Sequence, residues 1–357
     1  MKEELFVSRR AKKGSKTKVI LITILIILII AAGVLLALKF FGKSSIDTDN
    51  GVVSLGTDTA RKEESKINIF QGNDRPIAVM IDNHSGAWPQ AGLNKAYMVY
   101  EIIVEGGETR LMALFKGQDL DKIGPVRSSR HYFLDYAMEN DAIYVHYGWS
   151  PEAQSDISKY KVNNINGLTE SESTFWRVKD KAAPHNAVTS TKKILASANN
   201  HKYNTKSNKE SVLSYTPDAV TLEDGINATD ITIPYSTLQT VEYKYNAETM
   251  RYERYARGKK QTDWETKEMI TTKNIIITFA ENYELSDGEN KDRQGLKNIG
   301  TRDGYYITNG KAIKITCEKK DRTEQTVYKD LNGNEIKVND GNTFVQICPI
   351  DSKITFE

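Results

Sequence analysis

The chain has 357 residues, with 49 Lys and Arg, 47 Asp and Glu and five His, for a formal net charge of +2. Residues 1–38 hold seven of the basic and two of the acidic side chains, so the rest carries 42 against 45, about −3, without the basic excess that a nucleic-acid surface requires. Two cysteines exclude a disulfide-built scaffold, and the length allows two domains of ordinary size.

Residues 1–18 form a basic tail, and residues 19–38 are Val, Ile, Leu and Ala broken only by Thr23 and Gly33. As a helix this run spans about 30 Å, the thickness of a bilayer's hydrocarbon core, and it predicts a single transmembrane signal anchor. Seven basic residues (Lys2, Arg9, Arg10, Lys12, Lys13, Lys16 and Lys18) precede it, and only Lys39 and Lys43 follow closely. The positive-inside bias then puts the N-terminus in the cytoplasm and the bulk of the chain outside. A cleaved signal peptide is the alternative; the run exceeds an ordinary h-region and no A-x-A-like site follows it. A lipoprotein would need a Cys soon after the run, and the first is Cys317. Residues 39–73 are mostly polar without a sustained period and predict a flexible linker.

From residue 74 to about 205 the pattern is α/β. Residues 77–81 (IAVMI) read as a buried strand ending at Asp82-Asn83. Residues 97–105 and 108–115 flank Gly106-Gly107 and predict a hairpin with a two-residue loop, since both turn positions can take positive φ. A helix is expected over 128–140, capped by Ser128 or Ser129, then a strand at 142–147 (AIYVHY). Ser150-Pro151 starts a second helix and Thr189-Ser190 a third. Strands alternating with helices predict a mixed sheet with flanking helices.

Residues 219–357 read as a smaller all-β domain. VEYKYN, MRYERYAR, NIIITFA, GYYIT, KAIKITC, EQTVYKD and NTFVQIC are short alternating runs, with Asn-Gly turn signals at Asn309-Gly310 and Asn332-Gly333. Cys317 and Cys348 end two of these runs. A disulfide between them and two unpaired thiols in a β core are both compatible with the sequence.

A two-residue hairpin loop would put Ile103 opposite Arg110 and bring Glu101, Glu105, Glu108 and Arg110 to one face. Arg127 and Arg130 follow, bracketing two serines at a helix start, where backbone N–H groups and guanidinium forks make an anion site. Paired instead with Glu101 and Glu105, the same arginines would be structural. Strand C-termini in α/β sheets are ligand positions, so Asp82, His146 and the Arg127 turn are expected to converge, with His185 and Asn186 nearby. No His pair has metal-ligand spacing, no metal site is expected, and no cofactor signature is present.

Several of these segments together resemble the YerB-like family of membrane-attached bacterial envelope proteins. They are Arg75-Pro76-Ile77-Ala78-Val79-Met80-Ile81-Asp82-Asn83, Val104-Glu105-Gly106-Gly107-Glu108-Thr109-Arg110, Ile123-Gly124-Pro125-Val126-Arg127-Ser128-Ser129-Arg130, Tyr144-Val145-His146-Tyr147-Gly148-Trp149-Ser150-Pro151 and Ala183-Pro184-His185-Asn186. Tyr243, Tyr245, Tyr252 and Arg254 fit it too. The resemblance implies an extracytoplasmic role and supplies no reaction. The first reading is a cell-envelope binding module that uses Arg110, Arg127 and Arg130 for an anionic glycan or lipid phosphate, and its β domain for an envelope protein partner. The second is an enzyme. In arrangement the chain is similar to the LytR–CpsA–Psr phosphotransferases of wall polymers, with Asp82 or Glu105 binding Mg²⁺ or acting as base. A metal-dependent hydrolase would use His146, His185 and Asp82.

Overall fold

Two sheets pack face to face, and the larger one recruits strands from both halves of the chain. The structure is a computed structural model describing residues 67–286 and 291–357. The principal elements of the first half are β1 (Ile77–Asp82), β2 (Met98–Ile103), β3 (Thr109–Phe115), α1 (His131–Glu139), β4 (Ile143–His146), α2 (Pro151–Lys159), β5 (Asn164–Asn166) and α3 (Thr191–Asn200). The second half supplies β6 (Asp230–Pro234), β7 (Thr240–Asn246), β8 (Arg251–Ala256), β9 (Asn274–Glu284), β10 (Gly300–Thr308), β11 (Lys311–Lys319), β12 (Val327–Lys329), β13 (Thr343–Pro349) and β14 (Thr355–Phe356).

The large sheet runs β12-β11-β10-β9-β13-β2-β3-β1-β4-β5, and β8-β7-β6-β14 form the core of the small one. The junction is β13, parallel to β9 on one side and to β2 on the other. Every residue of β1, β2, β3 and β13 is buried, as expected of strands covered on both faces. One face packs Met80, Tyr100, Met112, Ile276 and Val345 with Phe133 and Ile157 of α1 and α2. The other packs Val79, Val99, Leu111, Ile275 and Phe344 with Ile194 of α3 and Ile231, Ile233 and Tyr243 of the small sheet.

An α/β domain followed by a separate all-β domain is therefore not the fold. The alternating runs after residue 270 extend the α/β sheet instead of closing a sandwich of their own, because their inward residues complete cores that the first half leaves open. Ion pairs fasten the same halves: Lys319 of β11 meets Glu139 of α1 at 2.7 Å with both side chains fully buried, and the partly exposed Arg322 reaches Asp135 at 2.6 Å and Asp156 at 2.7 Å. The expected transmembrane helix at residues 19–38 lies outside the described residues. Among those described, no helix is long and apolar enough to cross a membrane, so the structure does not support a spanning helix as part of the fold class.

One local expectation is also corrected, and of the two open cysteine readings the unpaired one holds. The hairpin loop has three residues, Glu105–Gly107, closed by Val104 N–H donating to Glu108 O at 2.7 Å, with φ of 66° at Gly106 and 72° at Gly107. Arg110 thus pairs with Ile102 and Glu101 with Leu111, one residue from the expected register. A one-residue shift moves every side chain to the opposite face, so Glu101 and Arg110 lie on opposite sides of the sheet. Cys317 and Cys348 are free and buried, and they sit in different cores. They lie on strands three steps apart, about 14 Å at the usual spacing, beyond the roughly 7 Å that a disulfide spans.

Candidate functional site

β1, β2 and β4 run in the same direction, so their C-terminal ends share one rim of the large sheet. Asp82 ends β1 in phase with Met80, on the face that α1 and α2 cover, opposite Arg110 in the β1–β3 register. The 123–130 segment crosses this rim on backbone bonds: Arg127 N–H donates to Met80 O at 2.9 Å, and Tyr147 N–H donates to Arg127 O at 2.9 Å. The 182–187 loop lies alongside, through Val126 N–H donating to Ala187 O. α1 begins at His131 with Arg130 as an N-cap that makes no side-chain cap bond. The serines expected to cap it are used elsewhere, Ser128 donating to Tyr147 O and Ser129 accepting from Tyr144 Oη.

Six of the predicted residues meet here in two linked groups. In the first, Asp82 Oδ2 lies 2.7 Å from His185 Nδ1 and 3.4 Å from Arg127 Nε. In the second, Glu105 takes Arg130 Nε at very short range and Arg110 Nη2 at 3.6 Å. Arg110 is buried and donates through Nη1 to Ser128 O at 2.7 Å. Burial, with the Arg130 charge beside it, lowers its pKa to about 10, so it stays cationic at neutral pH; Arg127 contributes to that lowering, which links the two groups. Burial would raise Glu105, but the Arg130 bond and the charges of Arg130 and Arg110 outweigh it and hold this carboxyl below its ordinary range.

Two predicted residues stand apart. His146 is fully buried, with Nδ1 2.8 Å from Gly148 O and Nε2 3.1 Å from Asn164 Oδ1, and burial lowers its pKa to about 4. Asn186 accepts from Arg177 Nη1 at 2.7 Å and donates to Val178 O, which braces the loop behind His185.

The sequence reading missed the partner of Glu101. Arg254 of β8 lies 2.9 Å from Glu101 with 1% and 0% of the side chains exposed, and Arg254 Nη1 donates to Tyr243 Oη at 2.9 Å. Thr109, Asn83 and Gln239 all donate to Glu101 Oε1, while Oε2 receives no aligned hydrogen bond. Burial would weaken Arg254's hold on its proton; Glu101 and Tyr243 more than reverse that. A signal was present, since the alternation of MRYERYA puts Arg254 in phase with buried Tyr252 and Ala256. Glu108 likewise leaves the arginines of the rim to pair with Arg257. Among the described residues no group of three or more His, Cys, Asp or Glu is placed to hold a metal ion.

The chain is 33% identical over 302 residues, 82% of its own length and 85% of the relative's, to the Bacillus subtilis (strain 168) protein named "Putative lipoprotein YerB". It belongs to the YerB-like family. The crystal structure of the YerB protein from Bacillus subtilis is similar with a TM-score of 0.71 and 29% identity, covering 79% of this chain and 94% of that one. Two family models match, "Protein of unknown function (DUF3048) N-terminal domain" over residues 61–204 and the corresponding C-terminal domain over 231–345. The rim residues of this YerB-like chain fall within the first match and Arg254 within the second. The long-range pair Glu101–Arg254 therefore joins the two matched segments.

Proposed function

We propose that this YerB-like protein is a binding module of the cell envelope, acting outside the cytoplasm at a membrane surface, and that the rim of its large sheet takes a phosphate-bearing anion. The name of the Bacillus subtilis relative, "Putative lipoprotein YerB", supports the location. The ligand reading is carried by Arg127. Its side chain is 27% exposed, its contact with Asp82 is 3.4 Å, and it makes no side-chain hydrogen bond among the described residues. A guanidinium with its fork unused, beside two further arginines, is a ready partner for phosphate oxygens. Across the rim, three guanidiniums share two carboxylates, Glu105 serving both Arg110 and Arg130, which leaves a net charge of +1. A phosphorylated glycan and a lipid headgroup both present that chemistry.

Calorimetric titration of the full chain with diphenyl phosphate tests the reading. Binding should weaken at least about tenfold in Arg127→Ala, the loss expected of a charge-assisted contact, and should fall as salt rises. Equal affinity in wild type and variant would remove the rim as the site.

A further inference from the structure

Asp82 positions a histidine as well as facing Arg127. Its Oδ1 accepts the His84 backbone N–H at 3.0 Å, and its Oδ2 lies 2.7 Å from His185 Nδ1. An ionised carboxylate only accepts, so Nδ1 of His185 carries a hydrogen, and in the neutral ring Nε2 then holds the lone pair. That Nε2 makes no hydrogen bond among the described residues, and 17% of the side chain is exposed. His84 stacks on the ring at 4.3 Å with planes 10° apart, and is itself fixed by accepting the Gly86 N–H through Nδ1 at 3.0 Å. Glycine suits position 86 because a Cβ there would lie 3.2 Å from both His185 Cδ2 and His84 Nδ1. The imidazole is thus held at one edge and one face, with its basic nitrogen open beside Arg127.

We propose that Asp82 and His185 form a general-base dyad that hydrolyses a phosphodiester held by Arg127, an inference that rests on the anion-site reading. The net charge of +1 at the rim matches the single negative charge of a phosphodiester. His185 Nε2 takes a proton from water as the water oxygen bonds to phosphorus. The bond from phosphorus to the leaving oxygen breaks, and that oxygen departs with the electron pair and is protonated by solvent. The imidazolium then returns its proton to solvent, leaving a phosphomonoester and an alcohol. His185 touches the attacking water and Arg127 the phosphodiester; Asp82 is a positioning residue that fixes the tautomer and stabilises the imidazolium. Arg127 offsets charge on the phosphoryl oxygens. The other candidate bases are engaged: Glu105 by Arg130 and Arg110, and His146 in the interior.

The full chain is assayed for release of p-nitrophenolate from bis(p-nitrophenyl) phosphate, alongside calorimetric binding of the unactivated diphenyl phosphate and ¹⁵N NMR of His185. His185→Gln should lower kcat by at least about 100-fold, the scale of a lost general base, with KM and diphenyl phosphate binding nearly unchanged. Asp82→Asn should lower kcat and move the His185 proton from Nδ1 to Nε2. Three results overturn the dyad and leave the anion site standing: binding of diphenyl phosphate without turnover by wild type, a His185→Gln variant as fast as wild type, or a wild-type His185 protonated on Nε2. Failure to bind diphenyl phosphate overturns both readings.

Discussion

Arg254→Met should destabilise the protein by about 3–5 kcal/mol, because it strands a carboxylate between the two sheets. At 2.9 Å and an effective dielectric constant near 20, the attraction between Glu101 and Arg254 is about 6 kcal/mol before desolvation is subtracted. Methionine keeps an apolar stem and removes the guanidinium, whose carbon sits 5.6 and 5.4 Å from the Tyr243 and Phe344 ring centroids. What remains is Glu101 with donors on Oε1 alone and none aligned to Oε2. Scanning calorimetry should record a fall in melting temperature of about 6–10 °C, and urea denaturation should give the free energy directly. The double variant Glu101→Gln with Arg254→Met removes both charges and should recover all but about 1–2 kcal/mol, the residue of the lost hydrogen bonds. A single variant within about 1 kcal/mol of wild type, or a double variant no better than the single, refutes the argument that this pair braces the sheets.

Arg127→Ala gives the opposite outcome: its partly exposed, 3.4 Å contact should contribute no more than about 1 kcal/mol, so the melting temperature stays close to wild type while diphenyl phosphate binding falls. His146 binds its proton less tightly when folded, with a pKa near 4 against 6.5 for an ordinary His, so it contributes stability above pH 6.5 that is lost as pH falls toward 4. Urea titrations at pH 7 and pH 4 should show wild type losing about 3 kcal/mol more than His146→Gln, and equal losses would contradict the assignment. Cys317 and Cys348 should resist a thiol reagent in the native state and both react in denaturant, since burial pushes the Cys317 thiol up to about 11 and raises Cys348 further; rapid native labelling would count against their burial.

The local elements were legible because their signals are local. Ser150 accepts from Ala153 N–H ahead of Pro151, and Ser190 accepts from Lys193 N–H, so two helix starts follow from side chains next to the helices they cap. Asn309-Gly310 closes β10 onto β11 with φ of 51° and 77°, the conformation that dipeptide favours. Sheet membership is different in kind. Nothing in NTFVQIC states that its neighbours are β2 and β9, since alternation fixes which side chains point inward and leaves the pairing partner open. The all-β text of the second half therefore suggested a domain of its own, although its inward residues serve a shared core. The arginines and carboxylates of the rim were legible as a group because a strand end, a turn and a helix start gather them within about fifty residues of sequence; His185, expected nearby, arrives from a later loop.

The misread loop had the largest consequence for chemistry. With two residues between the hairpin strands, Glu101, Glu105, Glu108 and Arg110 would have shared a face on which carboxylates outnumber guanidiniums, a surface suited to a cation. The third loop residue turns Glu101 toward the small sheet, where Arg254 neutralises it, and Glu108 pairs with Arg257. Arg110 turns the other way, toward Glu105 and the backbone of the Arg127 segment. Two of the carboxylates are thereby withdrawn from the rim while all three arginines stay. The sign of the site follows from the length of one turn, and that length is what leaves the rim with more guanidiniums than carboxylates.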